Sequence, residues 1–177
     1  MRRVLKALFL ALVAIQGALS DNSWSQFQDR KKYGENFEEE KARVEVEPAL
    51  PEYPKPENLV QFYVGVTASN TFLVDEKTLS VNEDGVVRYV LVIKAPGGAS
   101  NVSFEGMNCK TKERRLYALG SGDAAWVMAR ARDWTGIRPG SHQAILYKEY
   151  FCPNGVSIYK SEEGVDALRR GGNLRAK

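Results

Sequence analysis

The sequence is poor in the residues that most often carry catalysis or bind metal ions. Its 177 residues contain one histidine, His142, and two cysteines, Cys109 and Cys152. These three residues do not have the spacing of a zinc site, so no metal and no other cofactor is expected. The G-x-S-x-G motif of many hydrolases is also missing. A catalytic triad would need a nucleophile and an orienting acid that no motif marks.

Long apolar runs are missing too, except for one near the N-terminus. Leu8 to Ile15 form an apolar stretch that follows a basic start, and Ala18-Leu19-Ser20 places small residues at a cleavage site. The stretch is too short to cross a bilayer as a stable helix. We therefore expect residues 1–20 to be a signal peptide, and the mature chain to have no transmembrane segment. A retained N-terminal anchor is the alternative.

A strong excess of one charge is absent once the predicted leader is removed. The leader holds three of the 25 basic residues and none of the 22 acidic ones, so the mature chain carries 22 of each. The net positive charge of the whole chain thus comes from the predicted signal peptide. No nucleic-acid partner is expected on this basis.

Composition divides the mature chain into two parts. Residues 21–58 hold ten acidic and six basic residues, few large aliphatic ones, and four prolines near their end. Such a stretch buries too little apolar surface to offset its ordering entropy. We predict a flexible, acidic, proline-containing segment over residues 21–56 and a single domain over residues 57–177.

Alternating apolar residues predict a β-sheet in the first part of that domain. The strongest strand is Val86 to Lys94, with apolar residues on both faces, as is typical of a central strand covered on both sides. The other predicted strands are residues 59–67, 71–74, 79–81, 102–107, 114–119 and 125–130.

Two helices are predicted to follow the strands. Ser141 is a capping residue for a helix that runs to about Phe151 and is stopped by Pro153, although a strand over residues 144–151 is the alternative. A second helix begins at Ser161 and ends at Gly171-Gly172. Strands followed by helices indicate an α+β fold, here an antiparallel sheet of about six strands with two C-terminal helices.

The two cysteines add one constraint to this fold. An exported protein meets oxidising conditions, where a pair of cysteines is most simply a disulfide. A Cys109–Cys152 bond would connect the end of a predicted strand to the end of the first predicted helix.

Basic and aromatic residues form the candidate binding site. If the strands on either side of Gly120-Ser121-Gly122-Asp123 pair, several basic side chains come close together and favour an anionic partner. The alternatives are a charged sheet edge that discourages aggregation and aromatic packing at the core. The acidic N-terminal segment of the same chain could also cover these basic side chains. The candidate residues are Lys112, Arg114, Arg115, Trp126, Arg130 and Trp134, with Lys110, Tyr117 and Arg132 nearby.

Several segments resemble a known family. One cysteine follows a strand of the form N-V-x-[FY]-E-G and the other lies in Y-F-C-P. The segments are residues 88–93, 101–109, 115–118 and 150–155, together with Trp126 and Trp134. Over residues 57–168 the chain resembles the cryptic neisserial protein-like family of small exported proteobacterial proteins. The resemblance implies a Gram-negative envelope protein and implies no reaction.

These observations favour a non-enzymatic binding or interaction protein. We expect it in the periplasm, or otherwise exported across the inner membrane, with an envelope protein or an anionic ligand as its partner. The alternative is a small envelope hydrolase that uses His142 with Asp123 or Glu149, which requires a hydrogen-bonded histidine and carboxylate about 3 Å apart.

Overall fold

The computed structural model describes Glu45 and residues 47–176 of the chain. The predicted signal peptide, and the part of the predicted acidic segment before Glu45, lie outside the described residues. Within them are eight strands: β1 Leu59–Phe62, β2 Thr71–Asp75, β3 Ser80–Val81, β4 Val86–Lys94, β5 Ser100–Asn108, β6 Glu113–Gly120, β7 Trp126–Met128 and β8 Thr135–Gly136. They are followed by the helices α1, His142–Ile145, and α2, Ser161–Arg170.

The strands form one antiparallel sheet in the order β1-β2-β4-β5-β6-β7, with β3 paired to β4 and β8 paired to β6. The prediction of an α+β fold with about six antiparallel strands is confirmed. Strand β1 ends at Phe62 and not at Thr67, and Gly65 in the following loop has a φ of 141°. Strand β8 was not predicted, because two residues are too few to show an alternating pattern.

Strand β4 is central, and apolar side chains cover both of its faces. Val87, Tyr89 and Leu91 belong to the core beneath the helices, whereas Val90 and Val92 belong to a second cluster on the other face. The second cluster also contains Phe104 and Tyr117 and contacts Tyr53 and Trp126. The sheet therefore has a helix-covered face and an opposite face that is covered by the chain before β1.

Helix α1 begins as the sequence predicts and then changes its hydrogen-bond pattern. The Oγ of Ser141 accepts a hydrogen bond from the backbone N–H of Ala144 at 3.2 Å. From Leu146 to Phe151 the chain forms a π-helix, and the Cys152 N–H reaches the Tyr147 carbonyl at 2.8 Å. The helix is confirmed, and the alternative of a strand over residues 144–151 is wrong. Helix α2 ends at Gly171, whose φ of 82° is the left-handed conformation that favours glycine.

The predicted Cys109–Cys152 disulfide is confirmed, with Cα atoms 5.4 Å apart. Both cysteines are buried in the core beneath the helices. The bond connects the residue after β5 to the residue after the π-helix. It therefore fixes the first helical segment to the sheet.

Candidate ligand-binding face

Three paired strands place two arginines on either side of a glycine. Arg88 of β4 lies opposite Gly106 of β5, and Gly106 lies opposite Arg115 of β6. This row runs across the face of the sheet that is turned away from the helices. Arg88 occupies a position on that face whose neighbours along the strand, Val86 and Val90, are apolar and buried.

Gly106 leaves space for the ring of Tyr117. A Cβ atom at position 106 would lie 2.9 Å from Cε2 and from Cζ of that ring, which is closer than real Cβ contacts. The pairing of β5 with β6 shifts by one residue between Phe104 and Glu105, so Tyr117 is the extra residue of a β-bulge. Bulges redirect side chains, and here the Tyr117 hydroxyl points to the same place as the two arginines.

The carboxylate of Glu45 lies at this point. Its Oε1 accepts hydrogen bonds from Arg88 Nη2 at 3.3 Å and from the hydroxyl of Tyr117. Its Oε2 accepts hydrogen bonds from Arg115 Nη1 at 2.6 Å and from Trp134 Nε1 at 2.9 Å. Four donors from three parts of the chain, β4, β6 and the residue before β8, thus bind one carboxylate, and two of them are charged.

A second carboxylate, that of Asp84, also holds Arg88 in place. Its side chain is 1% exposed, and Asp84 accepts hydrogen bonds from Nη1 at 3.1 Å and from Nη2 at 2.5 Å. Asp84 also accepts a hydrogen bond from the backbone N–H of Val86 at 3.0 Å. This bond fixes the Asp84 carboxylate at the start of β4. The guanidinium group is therefore oriented without the help of Glu45.

The surroundings keep Glu45 ionised and Tyr117 protonated. Burial acts to raise the pKa of Glu45, but hydrogen bonds from Tyr117, Arg115 and Trp134 outweigh it and lower the pKa below 4.5. Burial and the hydrogen bond to Glu45 raise the pKa of Tyr117 well above its ordinary value. At neutral pH the site thus presents donors to a carboxylate anion.

Glu47 forms a second, more exposed contact. It accepts a hydrogen bond from Arg132 at 2.9 Å and a longer one from Arg115 Nη2 at 3.5 Å. The side chains of Glu47 and Arg132 are 52% and 42% exposed. Ion pairs this exposed contribute little to stability, about 0–1 kcal/mol. Arg115 is therefore shared between an inner carboxylate and an outer one.

We call Glu45 and residues 47–54 the strap, and the face of the sheet beneath it the strap face. Beyond Glu47, Trp126 Nε1 donates a hydrogen bond to the carbonyl of Pro51 at 2.8 Å. The rings of Tyr53 and Trp126 pack with centroids 5.3 Å apart, and the Tyr53 hydroxyl donates to the Ser121 carbonyl at 3.3 Å. Side chains, and not strand pairing, therefore connect the described strap to the sheet.

The sequence-predicted site residues do not form one cluster. Arg115 and Trp134 meet at Glu45, and Trp126 contacts the strap at Pro51. Arg114 lies on the other face and lines a cavity of about 470 Å³ with His142, because successive residues of a strand point to opposite faces. Lys112 lies 5.7 Å from the centre of the Tyr147 ring, and Arg130 is exposed after β7.

Arg88, Glu45 and Glu47 are site residues that were not among the candidates from the sequence. Arg88 has a signal in the sequence, since it is a charge between apolar residues in the middle of the strongest strand, whereas the other charge on that face, Lys94, lies at the strand end. Glu45 and Glu47 have no such signal, because they are two of ten acidic residues in residues 21–58.

The geometry around His142 gives the hydrolase alternative no support. The ring packs against Phe72 with centroids 5.0 Å apart, and Nε2 is buried without a hydrogen-bond partner within the described residues. Burial lowers the pKa of His142, although Glu105 opposes this effect. Neither Asp123 nor Glu149 forms a hydrogen bond to it in the described part of the chain, and Glu149 pairs with Lys148 at 3.0 Å.

The described residues contain neither a metal-binding cluster nor a membrane-spanning helix. Among residues 45 and 47–176, no group of three or more histidine, cysteine or acidic side chains is arranged to hold a metal ion. Over the same residues, no helix combines the length and the apolar character needed to cross a membrane.

Comparison with known proteins identifies a family. The chain matches the CNP1-like family over residues 38–169, a range that includes the strap, all eight strands and most of α2. The predicted resemblance began later, at residue 57, and did not include the strap. No curated protein and no solved structure matches the chain. Because the family match covers well over half of its length, the chain belongs to the CNP1-like family.

Proposed function

We propose that the protein is an exported, non-enzymatic binding protein of the cell envelope, and that its strap face binds carboxylate groups of an acidic partner. One observation carries the proposal. Arg88, Arg115, Tyr117 and Trp134 converge on a single carboxylate, that of Glu45. Charge-assisted hydrogen bonds of this kind are stronger than neutral ones and depend on geometry.

The site contains two cationic donors and two neutral ones. Arg88 and Arg115 are the cationic donors, and Arg88 also pairs with Asp84. A carboxylate suits this set, because guanidinium groups form strong and directional hydrogen bonds to carboxylates. Tyr117 and Trp134 complete the binding without adding charge.

The chemistry of the four donors supports binding without catalysis. The raised pKa of Tyr117 keeps its hydroxyl protonated, so it is a donor and not a base at neutral pH. Arginine stays protonated throughout the physiological range, and the tryptophan indole is a donor only. None of these groups offers a nucleophile to the bound carboxylate.

Export is supported by two independent features. The sequence begins with a basic stretch, an apolar stretch and small residues at a cleavage position. The fold contains a buried disulfide, and disulfides persist mainly in oxidising compartments such as the bacterial periplasm. We therefore place the proposed binding face on the outer side of the inner membrane.

Chromatography on immobilised poly-L-glutamate tests the binding proposal. The wild-type protein should be retained at low salt and should elute as the salt concentration rises, because exposed charges are screened. The Arg115→Ala/Arg132→Ala variant should elute at clearly lower salt, since it lacks the guanidinium groups that contact Glu45 and Glu47.

The matched control removes the same number of charges elsewhere. Arg169 and Arg170 lie on helix α2 and pair with Glu76 and Asp166. The Arg169→Ala/Arg170→Ala variant should elute with the wild type. If the two double variants elute together, net charge and not the strap face explains retention, and the proposal fails.

A further inference from the structure

We propose that the strap face binds an extended acidic segment of a partner protein with two carboxylates two residues apart, and that the strap is the chain's own copy of this ligand. The proposal rests on the function proposed above and specifies its ligand. The strap supplies Glu45 to the inner position and Glu47 to the outer one. A partner segment with the same spacing would replace it.

The spacing is set by one guanidinium group. Arg115 Nη1 donates to Glu45, and Nη2 of the same side chain donates to Glu47. In an extended chain, residues i and i+2 project to the same side and lie about 7 Å apart. Two carboxylates at this spacing can therefore reach both ends of Arg115, whereas neighbouring residues would project to opposite sides.

A third contact extends the recognised segment. The indole N–H of Trp126 donates to the carbonyl of Pro51, and this contact uses the backbone of the strap and not a particular side chain. Pro48 and Pro51 restrict the strap to extended conformations. Aromatic residues that bind extended, proline-containing peptides are a recurrent mode of recognition. We therefore infer a ligand that is acidic at its N-terminal end and continues as an extended, proline-containing segment.

The strap is held in a way that allows displacement. In its described residues, 45 and 47–54, no backbone group hydrogen-bonds to a backbone group of the sheet. In contrast, the following strand β1 pairs with β2 over four residues. The Glu47–Arg132 pair can open first, because it is the most exposed ion pair of the site, and a competing carboxylate can enter there.

Covalent attachment makes the strap a strong competitor. A tethered ligand acts at an effective concentration of roughly millimolar. Removal of its two carboxylates should therefore increase the affinity for an added peptide by at least tenfold. Substitution of Glu45 and Glu47 leaves Arg88 paired with Asp84, so the Arg88 guanidinium group keeps its orientation.

Isothermal titration calorimetry of the full chain with two synthetic peptides tests the inference. The first peptide has the sequence of residues 44–53, and the second has the same composition with Glu47 and Ala49 interchanged, which leaves no two carboxylates two residues apart. We expect the Glu45→Ala/Glu47→Ala variant to bind the first peptide at least tenfold more tightly than the wild type does. The second peptide should bind this variant at least tenfold more weakly than the first.

The outcomes separate this inference from the proposed function. Equal affinity of wild type and variant would show that the strap does not compete, and equal affinity for the two peptides would show that spacing is not recognised. A variant that fails to fold would make the strap a structural element, and formation of a dimer between variant and wild type would make the ligand a second copy of the chain. Each of these results overturns the inference alone, whereas failure of both peptides and of polyglutamate to bind any form overturns the proposed function.

Discussion

At the scale of single residues, Gly106 determines how closely a side chain can approach the centre of the strap face. It lies between Arg88 and Arg115 in the paired strands, and the Tyr117 ring occupies the space that its missing side chain leaves. Glycine weakens a strand because it has no side chain to pack. Here the space it leaves allows a phenol hydroxyl to join two guanidinium groups at one carboxylate.

Substitution Gly106→Ala should destabilise the protein by about 1–3 kcal/mol, because an added methyl group in a packed place forces its neighbours apart. The Tyr117 ring must move, and its hydroxyl should lose the hydrogen bond to Glu45. Urea unfolding measures the change. Gly136→Ala is the matched control, since Gly136 lies in a strand of the same sheet and a Cβ there meets nothing within 4 Å. Equal stability of the two variants would contradict the packing argument.

Docking of Glu45 should depend on pH in a defined direction. Because its pKa in the folded protein is lowered below 4.5, the contribution of its contacts is complete above pH 4.5 and is lost as the pH falls through the lowered pKa. The Trp134 indole N–H, which donates to Glu45, should shift in NMR spectra only in that acidic range.

Two comparisons check this assignment. The Trp126 indole N–H donates to the Pro51 carbonyl, which does not titrate, and its signal should stay nearly constant. In Glu45→Gln, which lacks the titrating group, the Trp134 signal should lose its acidic transition. A transition that persists in Glu45→Gln would belong to another group.

At the scale of elements, the disulfide and the π-helix act together on the first helical segment. The π-helix ends at Phe151, and the next residue, Cys152, is bonded to Cys109 at the end of the strand region. The Tyr147 hydroxyl, on the same π-helix, donates to the Cys109 carbonyl at 3.1 Å. The segment is thus attached to the sheet by a covalent bond and a hydrogen bond at one place.

Loss of the disulfide should lower stability substantially. The two cysteines are 43 residues apart in the sequence, and closing a loop of that size stabilises a protein by about 4 kcal/mol in the chain-entropy model. For a domain of this size the melting temperature should fall by about 10 °C or more on reduction. Calorimetry measures the shift, and hydrogen exchange should show residues 142–151 losing protection first.

The Cys109→Ala/Cys152→Ala variant is the control for the reducing agent, since its melting temperature should not respond to reduction. A wild-type melting temperature that stays constant on reduction would contradict a stabilising role for the bond.

At the scale of the whole molecule, the two faces of the sheet are covered by different means. The helices cover one face with a core that includes Leu146, Phe151 and Leu168. On the other face a smaller apolar cluster is bordered by the charged strap site. A face covered by charge is easier to uncover than one covered by apolar packing, because water and other anions can replace the contacts that are lost. This difference is one reason for proposing that the strap face binds a partner.

The proposed export concerns the whole chain and is tested by the N-terminus of the mature protein. If residues 1–20 are a signal peptide, mass spectrometry of the protein from its native source should show an N-terminus at or near Asp21. A retained Met1 in the cytoplasm would contradict both export and the oxidising compartment that the disulfide requires. The flexibility predicted for residues 21–56 stays a prediction. Among the described residues of this segment, Glu47 contacts Arg132 and Pro51 contacts Trp126.

The sequence by itself determined the parts of this fold that depend on neighbouring residues. The two apolar faces of β4, the Ser141 cap, the stop after Phe151 and the glycines after α2 are all local patterns, and each is present in the structure. The Cys109–Cys152 bond was predictable as well, because two cysteines leave only one intramolecular pairing. Local geometry and composition were sufficient in each case.

Only the tertiary structure decided which residues form the candidate site. The register of β4, β5 and β6 puts Arg88, Gly106 and Arg115 in one row, and a one-residue bulge turns Tyr117 towards them. Glu45 is 43 residues from Arg88 and 70 from Arg115 in the sequence. Strand register and the path of a strap depend on contacts between distant segments, and a single sequence does not record which acidic residue meets which arginine.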